Sequence, residues 1–129
     1  MLSRREFGAS LAALLLIPGG RRRGIEHPDP RPGIDASGVM TAEQLKGLPD
    51  SVIQIFDQIR EIPEIADGIG CNCGCAAMPT YRSLLTCYHE TGMARGCEIC
   101  QGEARLVYRR AKEGQSLEQI RRAIDARFG

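Results

Sequence analysis

Cys97-Glu98-Ile99-Cys100-Gln101-Gly102-Glu103-Ala104-Arg105-Leu106-Val107-Tyr108-Arg109-Arg110-Ala111 is the stretch whose reading decides the fold. Apolar or sulfur-bearing side chains recur at Cys97, Cys100, Ala104, Val107, Tyr108 and Ala111, the three- and four-residue spacing of one helical face. Gly114 is a natural stop, so a helix is predicted from near Cys97 to just before it. Both thiols extend the stripe and are expected to point into the core. In the first turn the helix dipole favours the thiolate. Two inward thiolates at a helix start are half of a tetrahedral metal site.

Working outward, Ser116-Leu117-Glu118-Gln119 is a capping box for a last helix that turns Leu117, Ile120, Ile124 and Phe128 inward. Upstream, a helix from about Thr80 to Thr91 would carry Tyr81, Leu84, Leu85 and Tyr88 on one face. Asp50 can cap another with the stripe Val52, Ile55, Phe56 and Ile59, which Pro63 ends or restarts. Thr41-Ala42-Glu43-Gln44 is a capping box for a short first helix. Asp67-Gly68-Ile69-Gly70 reads as a turn delivering the chain to Cys71. No alternating strand pattern occurs. The expected fold is all-α, a small domain over residues 40–129 of four to five short helices, with a cysteine-rich loop packed on a helix N-terminus.

Six cysteines fall within thirty residues. Cys71, Cys73 and Cys75 form C-x-C-x-C, Cys87 stands alone, and Cys97 and Cys100 form C-x-x-C. Cysteines two apart pair poorly, because the Cα and Cβ separations of a disulfide are hard to meet there. Gly70 and Gly74 let the backbone curl so that neighbouring thiolates converge. Soft thiolates select Cu(I), Zn(II) or iron–sulfur clusters. The dense C-x-C spacing favours Cu(I), and Zn(II) is the second choice. All six cysteines are candidate ligands, with Met93, Met78 and His89 as auxiliary candidates. The methionines serve equally as gap fillers. On a helical wheel His89 lies about 160° from Cys87, which favours a surface or packing role. His27 falls in a proline-rich stretch and has no assigned role.

Other chemistries find less support. Six cysteines in an exported protein also suit three disulfides stapling a helical interaction module with an envelope partner. Thiol redox cycling at Cys97 and Cys100 is a weaker alternative. Gln101 stands where covalent haem attachment needs His, so no haem is expected. No catalytic triad or carboxylate pair is visible, and a binding protein is expected rather than an enzyme. Beyond residue 20, acidic and basic residues are equal in number, which gives no electrostatic reason for a nucleic-acid partner.

The N-terminus reads as an address. Ser3-Arg4-Arg5-Glu6-Phe7 precedes an apolar run from Gly8 to Ile17 and then Pro18-Gly19-Gly20. This layout resembles a twin-arginine signal over residues 1–20, and its apolar run is about half the length needed to span a bilayer. It implies the twin-arginine export machinery as a partner and a periplasmic or other extracytoplasmic location, membrane-associated if the signal is not cleaved. That route carries folded proteins, so metal could be loaded before export. Residues 21–39, with Pro28, Pro30 and Pro32, read as a flexible linker.

From Gly70 to Phe128 the chain resembles a bacterial family of exported proteins named for the motif PCYCGC. The resemblance rests on Cys71-Asn72-Cys73-Gly74-Cys75, Arg82-Ser83-Leu84 with Cys87-Tyr88, Cys97-Glu98-Ile99-Cys100, and Ile120-Arg121-Arg122-Ala123-Ile124-Asp125. Gly70 and Asn72 replace the motif's Pro and Tyr, and the chain has no lipidation cysteine. Met93 and Tyr81 stand where relatives carry His. If those histidines are ligands, the resemblance implies a softer site here, tilted toward Cu(I). The family name supplies no function.

Overall fold

A computed structural model describes residues 25–73 and 82–129. The signal-like segment, Cys75, Met78 and Tyr81 lie outside the described residues. The described chain is all-α, with helices α1 (Asp50–Glu61), α2 (Pro63–Asp67), α3 (Leu84–Cys87), α4 (Glu98–Lys112) and α5 (Leu117–Phe128). Its sole β-type pairing is an isolated bridge between Val39 and His89.

The helices form where the apolar period predicts. In α1, Val52, Ile55, Phe56 and Ile59 are buried on one face, which packs on α4, and Pro49 rather than Asp50 holds the N-cap position, so Asp50 falls in the first turn. Pro63 takes the first position of α2, where its missing N–H costs no hydrogen bond. Helix α4 ends in a Schellman motif, with Gln115 N–H donating to Arg110 O and Gly114 N–H to Ala111 O. Ser116 and Gln119 cap α5 reciprocally: Ser116 N–H donates to Gln119 Oε1 at 2.8 Å and Gln119 N–H to Ser116 Oγ at 3.2 Å. Ile120 and Ile124 of α5 are fully buried, while Leu117 and Phe128 lie half-buried at the rim of the core.

Two helices are shorter than their patterns suggest. The capping box at Thr41 forms, with Gln44 N–H on Thr41 Oγ1 and Thr41 N–H on Gln44 Oε1. The segment nevertheless remains a run of turns. Gly47 takes a φ of +96°, and Pro49 follows it, so the helical ladder stops after about one turn. Likewise α3 is a single turn rather than a helix reaching Thr91. Beyond Cys87 the chain folds sharply back: Gly92 lies against the Cys87 carbonyl, where a Cβ would come within 2.2 Å of the oxygen. Ala94 N–H then donates to Cys87 O, and Met40 N–H to Tyr88 O. Backbone groups that a longer helix would pair internally are paired tertiarily instead.

Residues 25–39, the described part of the stretch expected as a linker, make specific contacts with the helices. Asp67, fully buried at the end of α2, accepts from Arg31 N–H at 2.8 Å, Arg31 Nε at 3.1 Å and Arg31 Nη2 at 3.0 Å, and from Ser83 Oγ at 2.8 Å. Burial pushes the Asp67 carboxyl upward, but these hydrogen bonds outweigh it and hold the group below its ordinary range. Arg121 of α5 donates to Gly68 O and to Pro28 O. Proline stiffens this segment and buried polar partners fix its path; neither effect leaves a hydrophobic period to read.

Candidate metal centre

Three pieces of chain meet at the cysteines: the loop after α2, the end of α3 and the start of α4. The loop is anchored on both sides of Cys71. Before it, Gly70 N–H donates to His27 Nδ1 at 3.0 Å, and the other ring nitrogen of His27 donates to Asp125 Oδ1 at 2.8 Å. After it, Asn72 N–H donates to Glu103 Oε1 at 2.7 Å. On α3, the Ser83 N–H and carbonyl both bond Thr86 Oγ1, fixing the turn that ends in Cys87. On α4, Cys100 lies on the inner face, and its carbonyl accepts from the buried Tyr88 hydroxyl at 2.9 Å. The Tyr88 ring meets Phe56 edge-on, with centroids 4.7 Å apart, so the start of α4 is braced against α1.

The sulfurs of Cys71, Cys73, Cys87 and Cys100 all lie within 4.8 Å of one another. Cys71, Cys87 and Cys100 are buried and Cys73 is half-buried. Cys71 Sγ and Cys100 Sγ are in contact at 3.1 Å. No disulfide joins any of the five described cysteines.

The electrostatics favour one negative charge in this cluster and resist more. Hydrogen bonds from the Cys100 and Cys87 thiols pull Cys71 well below the ordinary thiol range. Cys100 is pushed far up, first by its bond to the Cys71 sulfur, then by its bond to Cys87 and by burial. At Cys87 a bond from Cys100 acts downward, but Cys71 and burial outweigh it and the thiol is raised. A cation among the four sulfurs would remove that mutual opposition and let the remaining thiols ionise.

The other sequence candidates are placed differently. Cys97 is the N-cap of α4, with φ −106° and ψ 108°, rather than a first-turn residue. Its side chain therefore leaves the helical wheel, and its Sγ receives the Cys100 N–H at 3.5 Å. It is half-buried and outside the group of four. His89 also lies outside that group. Its ring packs on Gly38, Nε2 is buried without a partner among the described residues, and desolvation followed by the Arg31 charge lowers its pKa. Met93 is 45% exposed in the loop before α4.

Two residues of the site carry no assignment from the sequence. Glu103 is fully buried one turn beyond Cys100, and its Oε2 has no partner among the described residues. Burial, then the neighbouring Cys71 charge, raises its pKa to about 8. Its place beside the apolar stripe of α4, three residues after Cys100, was the available signal. His27 had none, because its partners lie 43 and 98 residues away.

Comparison with protein-family models, curated proteins and solved structures finds no match for this chain.

Proposed function

We propose that this protein is an exported metal-binding protein that holds a thiophilic ion through Cys71, Cys73, Cys87 and Cys100. One observation carries the reading: four cysteine sulfurs from three chain segments lie within 4.8 Å of one another. A tetrahedral ion with metal–sulfur bonds of about 2.3 Å spaces its ligands about 3.8 Å apart, within that range. Four sulfurs with a single preferred charge form a poor apolar core and a good cation site. Cu(I) is the preferred ion, supported by the all-sulfur group and the dense C-x-C spacing. Zn(II) is the second reading, supported by the count of four. Cys97 borders the group, and Cys75 follows Cys73 by two residues in sequence; both are candidate ligands of a larger Cu(I)–thiolate cluster. The paired Arg4 and Arg5 before an apolar run support export by the twin-arginine route. The cysteine order supports kinship with the PCYCGC proteins.

The test is metal analysis with a thiol count on the full chain, prepared without oxygen and offered Cu(I) or Zn(II) in separate arms. The expected result is stoichiometric metal, with cysteines that become alkylatable only after chelation. Retention of Cu(I) against a competing chelator that strips Zn(II) assigns the ion. A chain that takes up neither metal refutes the reading.

A further inference from the structure

We propose that the site is redox-gated: a hydroperoxide joins Cys71 to Cys100 as a disulfide, and the bound ion leaves. The inference rests on the metal reading above and adds its regulation. Its basis is the 3.1 Å contact between the two sulfurs. That is closer than the roughly 3.8 Å of two ligands on one tetrahedral ion, and about 1 Å from a disulfide bond. The two residues sit on separate supports, Cys71 on a loop and Cys100 on α4, so a small loop movement closes the gap without bending the helix. Cys71 and Cys73, by contrast, are two apart and pair only with strain. Cys71 and Cys100 are almost closed to solvent, at 1% and 0% exposure, which restricts the oxidant to something close to water in size. Hydrogen peroxide fits. The half-buried Cys73 marks the open side of the group.

The chemistry balances in two steps. The Cys71 thiolate attacks one peroxide oxygen; the S–O bond forms, the O–O bond breaks, and the departing hydroxide takes a proton and leaves as water. The Cys100 sulfur then attacks the Cys71 sulfur; the S–S bond forms, the S–O bond breaks, and a second hydroxide takes a second proton. Two thiolates lose two electrons, and one peroxide with two protons becomes two waters. The ion keeps its charge but retains two of its four sulfur ligands, too few to hold it.

The full chain loaded with Zn(II) tests this, because zinc has no redox chemistry of its own and every electron must come from sulfur. Hydrogen peroxide is titrated in, released zinc is read with a colour-forming chelator, and cross-linked peptides are mapped by mass spectrometry. The expected result is one zinc released per peroxide consumed, Cys71–Cys100 as the dominant disulfide, and zinc taken up again after dithiothreitol. A different dominant pair, release without a disulfide, or zinc retained beside the disulfide overturns the gating proposal alone. A chain that takes up neither zinc nor, in a parallel arm, Cu(I) overturns its premise as well, so the two failures are distinguishable; for a chain that takes Cu(I) alone, the same peptide mapping of the Cu(I) form decides whether Cys71–Cys100 is the dominant disulfide.

Discussion

At the scale of single residues, four sulfurs and one carboxyl group define the centre. Replacing Cys100 with Ser removes the proposed ligand fixed most rigidly, on α4, and should weaken metal binding by roughly two orders of magnitude or more, measured by chelator competition. Cys97→Ser should cost less than about tenfold in the same assay, because its sulfur caps the helix outside the group of four. Equal losses would restore Cys97 to the ligand set. Glu103 gives a pH signature in the metal-free chain. Its carboxyl pKa rises from 4.5 to about 8 on folding, so the folded state binds the proton more tightly than the unfolded one. The stability it confers is full below about pH 4.5 and is lost as pH rises through about 8. Denaturant melts should show Glu103→Gln gaining stability over the parent at pH 9 compared with pH 5. A pH-independent difference would contradict this. Asp67 has the opposite sign, since a depressed carboxyl pKa makes its stability disappear as pH falls through the folded value.

At the scale of elements, the sequence pattern located helices but misjudged two lengths. Stripes such as Val52, Ile55, Phe56 and Ile59 are periodic, and burial follows directly from the period. The ends of α3 and of the Thr41 turns depend on Gly92 against Cys87 O and on the left-handed Gly47, which are contacts and dihedral angles rather than periodicities. The path of the segment before Thr41 is hidden for a related reason, because its contacts are polar and distant in sequence. Arg31→Ala should destabilise the chain by about 1–3 kcal/mol in chemical denaturation, since it withdraws two side-chain hydrogen bonds, from Nε and Nη2, and their positive charge from a fully buried carboxylate. Deleting residues before Thr41 should lower Tm by at least about 10 °C, whereas removing a free linker would leave it unchanged.

At the scale of the whole molecule, the described body is small, so a metal held at the proposed site would add a large share of its stability. Binding at ligand concentrations a thousandfold above Kd contributes about 4 kcal/mol. Thermal melts of the loaded chain should therefore drop by more than about 10 °C when a strong chelator is added, and the metal-free chain should be insensitive to it. By itself the sequence determined the all-α class, the inner face of α1, the buried Cys100, Ala104 and Val107 of α4, the buried Ile120 and Ile124 of α5, and the wealth of thiols, because apolar period and composition are local properties. Only the tertiary structure decided which sulfurs meet. Cys71, Cys73, Cys87 and Cys100 converge because His27 and Glu103 hold the loop against α5 and α4, while the N-cap geometry turns Cys97 aside. Those are relations between segments far apart in the chain, and no spacing within one segment encodes them.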